Sequence, residues 1–93
     1  MSPPALTRTE TIVNQKGLHA RAAAKFAETA GAFNAAISVS KDGQTVAAKS
    51  IMGLMMLAAS PGSQIELSAT GPDADQALEA LSTLIQNRFD ESE

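Results

Sequence analysis

The residues of this chain best suited to covalent chemistry are His19 and Arg21, within Gly17-Leu18-His19-Ala20-Arg21. This string stands where a glycine turn leads into a predicted helix. The first turn of a helix presents unpaired backbone N–H groups and the positive end of the helix dipole, and both favour an anion. Neutral imidazole is nucleophilic near pH 7, and a guanidinium fork matches phosphate oxygens. These residue types predict a transient phosphohistidine at His19, with Arg21 binding its phosphate.

A simpler interpretation of the same two residues remains open at this point. His19 could merely cap the helix, and Arg21 could be a solvated residue of its first turn. Judged on local features alone, this interpretation is favoured, because a lone histidine before a helix is common.

The rest of the chain offers little other chemistry. It has no Cys and one His, which excludes a disulfide framework, a thiolate nucleophile and a Cys- or His-rich metal site. Asp73, Asp75 and Glu79 are expected to complement the dipole of the last predicted helix rather than bind a metal, and Asp42 is a turn residue. There is no Gly-rich phosphate loop and no Ser/His/Asp signature. We therefore expect no metal, no cofactor and no independent metabolic enzyme.

Length and composition limit the class of protein further. The chain has 93 residues, 44% of them apolar and 18% charged, which is typical of one globular domain. Its net charge of −3 has the wrong sign for gripping a nucleic acid backbone. The N-terminus lacks the pattern of a secretory signal, and the apolar run 51–59 is far shorter than the roughly 20 residues that span a bilayer. We expect a cytoplasmic protein that binds neither nucleic acid nor membrane.

The elements that must position His19 begin with a strand and a helix. Residues 8–14 favour a strand with Ile12 facing inward, followed by turn residues. A helix is predicted over 20–30, ended by Gly31 as a left-handed cap. Its apolar stripe at i, i+3, i+4 and i+7 consists of Ala23, Phe26, Ala27 and Ala30.

A hairpin and a further strand are predicted in the second half. Residues 35–41 and 44–48 alternate on either side of Asp42-Gly43, which is typical of a hairpin with a primed turn. Residues 63–70 alternate again and predict the fourth strand. Its inward face would carry Ile65, Leu67 and Ala69.

The last helix completes a βαββαβα order. Asp73 and Gln76 resemble a capping box at its start. Its stripe is Ala74, Ala77, Leu78, Leu81, Leu84 and Ile85. Strands and helices that each have one apolar side predict an α+β, open-faced two-layer β-sandwich. Three helices would cover one face of a largely antiparallel four-stranded sheet, and the other face would meet water.

The predicted helix 51–58, capped by Ser50, is apolar nearly all round. A helix covering a sheet can bury one stripe, and Leu54, Leu57 and Ala58 are enough to fill it. Some of its other apolar side chains must then face water, in the manner of adaptable partner-binding surfaces. The alternative is that methionines plug gaps in the core. The residues concerned are Ile51, Met52, Met55 and Met56.

Two strings bear a family resemblance. Residues 17–26, GLHARAAAKF, resemble the phosphorylation-site signature of the histidine-containing phosphocarrier (HPr) family of the bacterial phosphoenolpyruvate-dependent phosphotransferase system. Residues 48–54, AKSIMGL, resemble the regulatory-serine region of that family at the expected separation. The resemblance covers about residues 8–89. It leaves 1–7 as a flexible lead-in and 90–93 as a solvated acidic tail.

The resemblance implies a function and site residues. His19 would accept a phosphoryl group from enzyme I on Nδ1 and pass it to an enzyme IIA protein or domain, with Arg21 stabilising the phosphate. Ser50 would be a regulatory site for an HPr kinase/phosphorylase. The protein would be a monomer. Partners would dock on the helices beside the histidine, at Ala20, Ala24, Ile51, Met52 and Met55.

The chain departs from the family at Ala22, where proline is common. Proline would fix φ in the first turn of the helix, but alanine removes no chemical group, so we expect activity to survive. An alternative function is a regulatory interaction module that uses the Met-rich helix without phosphotransfer. An RNA-binding domain is disfavoured because the chain has three Phe and neither Tyr nor Trp. Sugar-uptake and nitrogen-related phosphotransfer chains use similar carriers, and no motif selects between them.

Overall fold

The computed structural model describes residues 5–91 as one α+β unit. The sheet has four strands, which are β1 (Leu6–Thr11), β2 (Ala36–Lys41), β3 (Gln44–Ala47) and β4 (Gln64–Thr70). The three helices are α1 (Ala20–Gly31), α2 (Ile51–Met56) and α3 (Ala74–Gln86). The predicted βαββαβα order is confirmed.

The sheet is antiparallel throughout, with the spatial order β1-β4-β2-β3. Leu67 of the central strand β4 lies opposite Val39 of β2 and Arg8 of β1. In β2 and β4 the residues facing the helices are buried, whereas the alternate residues lie on the more exposed, largely polar face. This is the open-faced sandwich that the alternation of the strands predicted. The buried strand residues are Ile37, Val39, Ile65, Leu67 and Ala69.

The core lies between this sheet and the helices, which contact one another as well as the strands. Phe26 of α1 is fully buried, and its alanine neighbours Ala22 and Ala23 are too. Burying a side chain of that size removes enough apolar surface from water to contribute about 2 to 3 kcal/mol. Helix α3 buries the predicted stripe except for Leu84, which is half-buried. These contacts fix α1, and therefore His19 at its start, against α2 and α3.

The β2–β3 hairpin confirms the predicted primed turn. Asp42 and Gly43 have φ angles of 51° and 85°. Positive φ at both central residues is the conformation that matches the twist of the flanking strands.

The first strand differs from its prediction. β1 begins at Leu6 and ends at Thr11, because its pairing partner β4 spans Gln64 to Thr70. Leu6 and Thr7, expected in a flexible lead-in, are therefore strand residues, and residues 1–4 of that lead-in lie outside the described part of the chain. Ile12 is fully buried as expected, although it follows the strand.

Two predicted helix ends were wrong. Gly31 belongs to α1 and is followed by Ala32 in a right-handed conformation, so it is not a left-handed cap. Asp73 makes no capping hydrogen bond to α3. Its Oδ2 instead accepts a hydrogen bond from the backbone amide of Asn34 at 2.8 Å, so a contact distant in sequence replaces the local one.

None of the helices within residues 5–91 has both the length and the apolar character to cross a membrane.

Candidate functional site

The position of His19 is set by a close backbone contact at Gly17. Gly17 has φ of 66°, and a Cβ built on it would lie 2.5 Å from the carbonyl oxygen of Ala59. The amide of Leu18 donates to that same oxygen at 2.9 Å, and the Leu18 side chain is buried. Only glycine combines this φ with this approach. The turn before α1 is therefore fastened to the loop that follows α2.

His19 is the residue immediately before the first turn of α1. Its backbone is extended (φ −82°, ψ −178°) and its carbonyl accepts from Ala23 N at 2.8 Å. The imidazole makes no capping hydrogen bond, so the interpretation that His19 merely caps α1 is wrong. The amides of Ala20, Arg21 and Ala22 have no acceptor within the helix, as in any first turn. A partly exposed imidazole, with 26% of its surface accessible, thus adjoins three amides suited to an anion.

Arg21 is exposed and forms no ion pair within residues 5–91. It lines a surface recess of about 470 Å³. Two further cations, Lys16 and Lys25, also line the recess, although Lys25 Nζ pairs with Asp90 Oδ2 at 3.0 Å. The guanidinium is therefore available to bind a negatively charged group. Arg21 is two residues after His19 in the sequence.

The sequence analysis missed two residues of the site, of which Glu91 contacts the imidazole and Asn14 contacts Glu91. The side-chain amide of the fully buried Asn14 donates from Nδ2 to the carbonyl of Gly17 at 2.7 Å and to Glu91 Oε1 at 2.9 Å. The other carboxylate oxygen of Glu91, Oε2, is hydrogen-bonded to His19 Nε2. Asn14 and Glu91 thereby connect the turn, the histidine and the end of the described chain.

Glu91 is ionised more readily than an ordinary glutamate. Burial by itself would raise the pKa of its carboxyl group. Hydrogen bonds from Asn14 and His19, together with the charges of His19 and Lys16, outweigh burial and lower the pKa below its usual value. The carboxylate beside the imidazole is therefore negatively charged at neutral pH.

The predicted solvated acidic tail is wrong for Glu91, whereas Asp90 is exposed as predicted. Asp90 bonds to Lys25, and Glu91 keeps only 15% of its side chain exposed. The cause is Phe89, which is buried in the core and draws the chain back toward α1. The signal in the sequence is its spacing, because Phe89 stands four positions after Ile85 of the α3 stripe. Residues 92 and 93 lie outside the described part.

Ser50 caps α2 as predicted. It is half-buried and extended, and its Oγ accepts a hydrogen bond from Gly53 N at 3.0 Å. A hydroxyl in this position satisfies one of the unpaired amides of the first turn.

The apolar surface predicted on α2 is present. Met52 and Met56 are 72% and 67% exposed, and Ile51 and Met55 are each 42% exposed. The alternative that methionines fill core gaps is therefore wrong for this helix. Leu54 and Leu57 are buried as expected.

The third residue expected inside this helix, Ala58, is exposed. Helix α2 ends at Met56, and Ala58 has φ of 53°. This left-handed residue turns the chain so that Ala59 is buried instead. On the adjoining α1, Ala20 is exposed and Ala24 is half-buried.

The remaining acidic candidates are apart from His19. Asp75 lies in the first turn of α3, and Glu79 Oε2 pairs with Arg8 Nη1 at 3.1 Å. Asp42 in the hairpin turn pairs with Lys41 at 2.8 Å. Within residues 5–91, no three His, Asp or Glu side chains are grouped as metal ligands would be.

Comparisons with known proteins agree on one family. The family model described as "PTS HPr component phosphorylation site" matches residues 6–87. The chain is 52% identical over 88 residues to the phosphocarrier protein HPr of Cupriavidus necator, an alignment covering 95% of this chain and 99% of that protein.

Solved structures give the same relationship. HPr-C-His from Thermoanaerobacter tengcongensis superimposes with a TM-score of 0.90 at 46% identity, covering 95% of this chain and 99% of that one. An HPr dimer from the same organism has a TM-score of 0.75 at 50% identity, covering 86% and 92%. These matches in sequence and fold extend over nearly the whole chain. The chain belongs to the HPr family and is a phosphocarrier of the phosphotransferase system.

Proposed function

We propose that His19 is the residue that carries the phosphoryl group, received from enzyme I and delivered to an enzyme IIA protein or domain. The observation that carries the proposal is the position of a partly exposed imidazole directly before the free amides of α1, with Arg21 in that same first turn. The amides and the guanidinium would offset the charge of about −1.5 to −2 that a phosphate has at pH 7.

The transfer step is a nucleophilic displacement at phosphorus. The lone pair of His19 Nδ1 forms the N–P bond, while the bond from phosphorus to the donor breaks and its electron pair remains with the donor. In a second displacement, a nucleophile of enzyme IIA attacks the same phosphorus, the N–P bond breaks with its electron pair returning to Nδ1, and His19 is regenerated. The phosphohistidine is thus a covalent intermediate, which divides the transfer from donor to acceptor into two displacement steps.

The exposed side chains of α2 supply the docking surface in this proposal. Ile51, Met52 and Met55 lie on a helix packed against α1, where Ala20 and Ala24 are small enough to let a partner approach. Apolar contact of this kind suits both a donor and an acceptor, since flexible methionines adapt to different surfaces.

Ser50 is proposed as a regulatory site acting through this surface. A kinase of the HPr kinase/phosphorylase type would add a phosphate beside Ile51 and Met52. The added charge would have to be desolvated when an apolar partner surface docks, so phosphorylation would slow transfer rather than unfold the domain.

The protein is proposed to work as a monomer in the cytoplasm. The hydrogen bonds that connect Asn14, Glu91 and His19 all form within one copy of residues 5–91. The chain has no cysteine, which suits a reducing compartment.

The experiment is reconstitution of phosphotransfer with purified proteins. The protein is incubated with labelled phosphoenolpyruvate and enzyme I from a sugar branch or a nitrogen-related branch, and enzyme IIA of each branch is then added. We expect an acid-labile, alkali-stable phosphate on the protein and its onward transfer in one branch. A protein that binds enzyme I without ever becoming labelled would instead be the regulatory module.

A further inference from the structure

The segment that follows α3 has an unusual backbone conformation. Arg88, Phe89 and Asp90 form a short turn in which all three have positive φ, at 56°, 54° and 63°. Residues other than glycine rarely adopt positive φ, so three in succession need other interactions that offset their conformational cost. The burial of Phe89 offsets this cost, together with hydrogen bonds from Asp90 N to Asn87 O and from Glu91 N to Arg88 O. This turn aims Glu91 at His19.

The carboxylate of Glu91 has two donors and therefore a defined orientation. Asn14 Nδ2 already donates to the carbonyl of Gly17, and it presents its second N–H to Oε1 of Glu91. Oε2 is thereby directed to Nε2 of His19. The neighbouring ion pair between Asp90 and Lys25 attaches the same segment to α1.

The protonation of the contact follows from the chemistry of its groups. An ionised carboxylate only accepts hydrogen bonds, so Nε2 must be the donor. The lowered pKa of Glu91 keeps this carboxylate ionised at neutral pH. In a neutral imidazole that donates from Nε2, the lone pair resides on Nδ1.

We propose that Glu91 is a positioning residue, which holds the neutral His19 ring in the Nε2–H tautomer so that Nδ1 is ready to attack phosphorus. The proposal rests on the proposed role of His19 as the phospho-acceptor. When Nδ1 forms the N–P bond and the donor bond breaks, the proton stays on Nε2 and the ring acquires positive charge. Glu91 offsets that charge, as the buried aspartate does for the histidine of a serine protease.

The variant Glu91→Gln tests the proposal most sharply. Asn14 still presents an N–H group, so the glutamine would turn its oxygen toward Asn14 and its NH2 group toward Nε2. Nε2 would then accept a hydrogen bond, and the ring hydrogen would move to Nδ1. The chain contains one histidine, so the imidazole signals of ¹⁵N-labelled protein need no assignment.

The tautomer is read from two-bond ¹H–¹⁵N correlations on the alkaline plateau of the imidazole titration. In the wild type we expect a protonated Nε2 and an unprotonated Nδ1. Glu91→Gln should shift population to Nδ1–H, and Glu91→Ala should show a mixture of the two forms. Glu79→Gln is the matched control, since it makes the same substitution at a glutamate that pairs with Arg8 rather than with the ring, and it should keep the wild-type tautomer.

The rate of phosphoryl acceptance is measured on the same samples. It should fall in proportion to the lost Nε2–H population, while dispersed amide signals verify the fold. Wild-type ring signals in both Glu91→Gln and Glu91→Ala would overturn the proposal even if His19 is phosphorylated normally. A wild type that shows the Nε2–H tautomer but accepts no phosphate would instead overturn the proposed function.

Discussion

The α-carbon of Gly17 lies against the backbone carbonyl of Ala59, so closely that a side chain at position 17 would have its Cβ 2.5 Å from that oxygen. The same oxygen accepts the hydrogen bond of Leu18 N. One backbone contact thus joins the turn that bears His19, the proposed phosphorylation site, to the loop that follows the helix with the exposed methionines.

Gly17→Ala should destabilise the protein and displace the histidine. Alanine would add a strained left-handed residue, which costs about 1 to 2 kcal/mol, and a steric clash in addition. Gly62→Ala is the matched control, because Gly62 has φ of 90° but no atom within 4 Å of its Cβ position. Chemical denaturation should give a larger loss for Gly17→Ala, with slower phosphoryl acceptance by its folded fraction. Equal losses for the two variants would show that the approach to Ala59 is unimportant.

Arg21→Ala should slow phosphotransfer in both directions with little effect on stability, since Arg21 is exposed and without an ion pair in residues 5–91. A charge-assisted hydrogen bond contributes roughly 1.5 to 3 kcal/mol, so the rate should fall by about tenfold to a hundredfold. Arg21→Lys should recover part of the rate, because lysine has the charge but not the fork. Quenched time courses of phosphotransfer give the rates of all three proteins. A wild-type rate in Arg21→Ala would mean that the amides of the first turn of α1 stabilise the phosphate without the guanidinium.

Met52→Asp and Met55→Asp should weaken binding to enzyme I by about 1 to 3 kcal/mol, because the new charge must be desolvated on docking. Thermal stability should change less, since both methionines are exposed. Leu6→Asp is the control for Met55→Asp, because Leu6 is 45% exposed against 42% for Met55 but lies on the edge strand β1. Calorimetric titration with enzyme I measures binding. Equal weakening in the Leu6 variant would remove the case for an α2 docking surface.

Ser50→Ala should lower the free energy of unfolding by about 1 and at most about 2 kcal/mol, through loss of the hydrogen bond to Gly53 N. Ser50→Asn, which retains a capping acceptor, should restore most of it. Ser50→Asp should also fold normally and yet accept phosphate from enzyme I more slowly, because its charge adjoins the docking surface. If Ser50→Asp reacts at the wild-type rate, the residue is a structural cap only.

The parts of the fold that could be predicted are those specified by local pattern. Alternation in β2 and β4 identified the buried face through residues such as Val39 and Leu67. Asp42-Gly43 predicted the turn because those residue types tolerate positive φ. The capping hydroxyl of Ser50 and the surplus of apolar residues on α2 were also readable, since each depends on neighbours within one or two turns.

The failures depend on contacts distant in sequence. Asp73 has the residue type of a helix cap, but the amide of Asn34 binds its carboxylate instead. The left-handed turn of Arg88, Phe89 and Asp90 contradicts the backbone preferences of Arg88 and Phe89, so no local pattern predicts it. Because that turn delivers Glu91, the ring contact of the site escaped the sequence analysis, whereas the histidine itself did not.

The most direct test of the account compares phosphate labelling of the wild type and His19→Ala by enzyme I and phosphoenolpyruvate. Since the imidazole is partly exposed and makes no capping hydrogen bond, His19→Ala should retain the fold, which the circular dichroism spectrum and melting temperature verify. The account predicts one acid-labile phosphate on the wild type and none on the folded variant. Undiminished labelling of His19→Ala would contradict it.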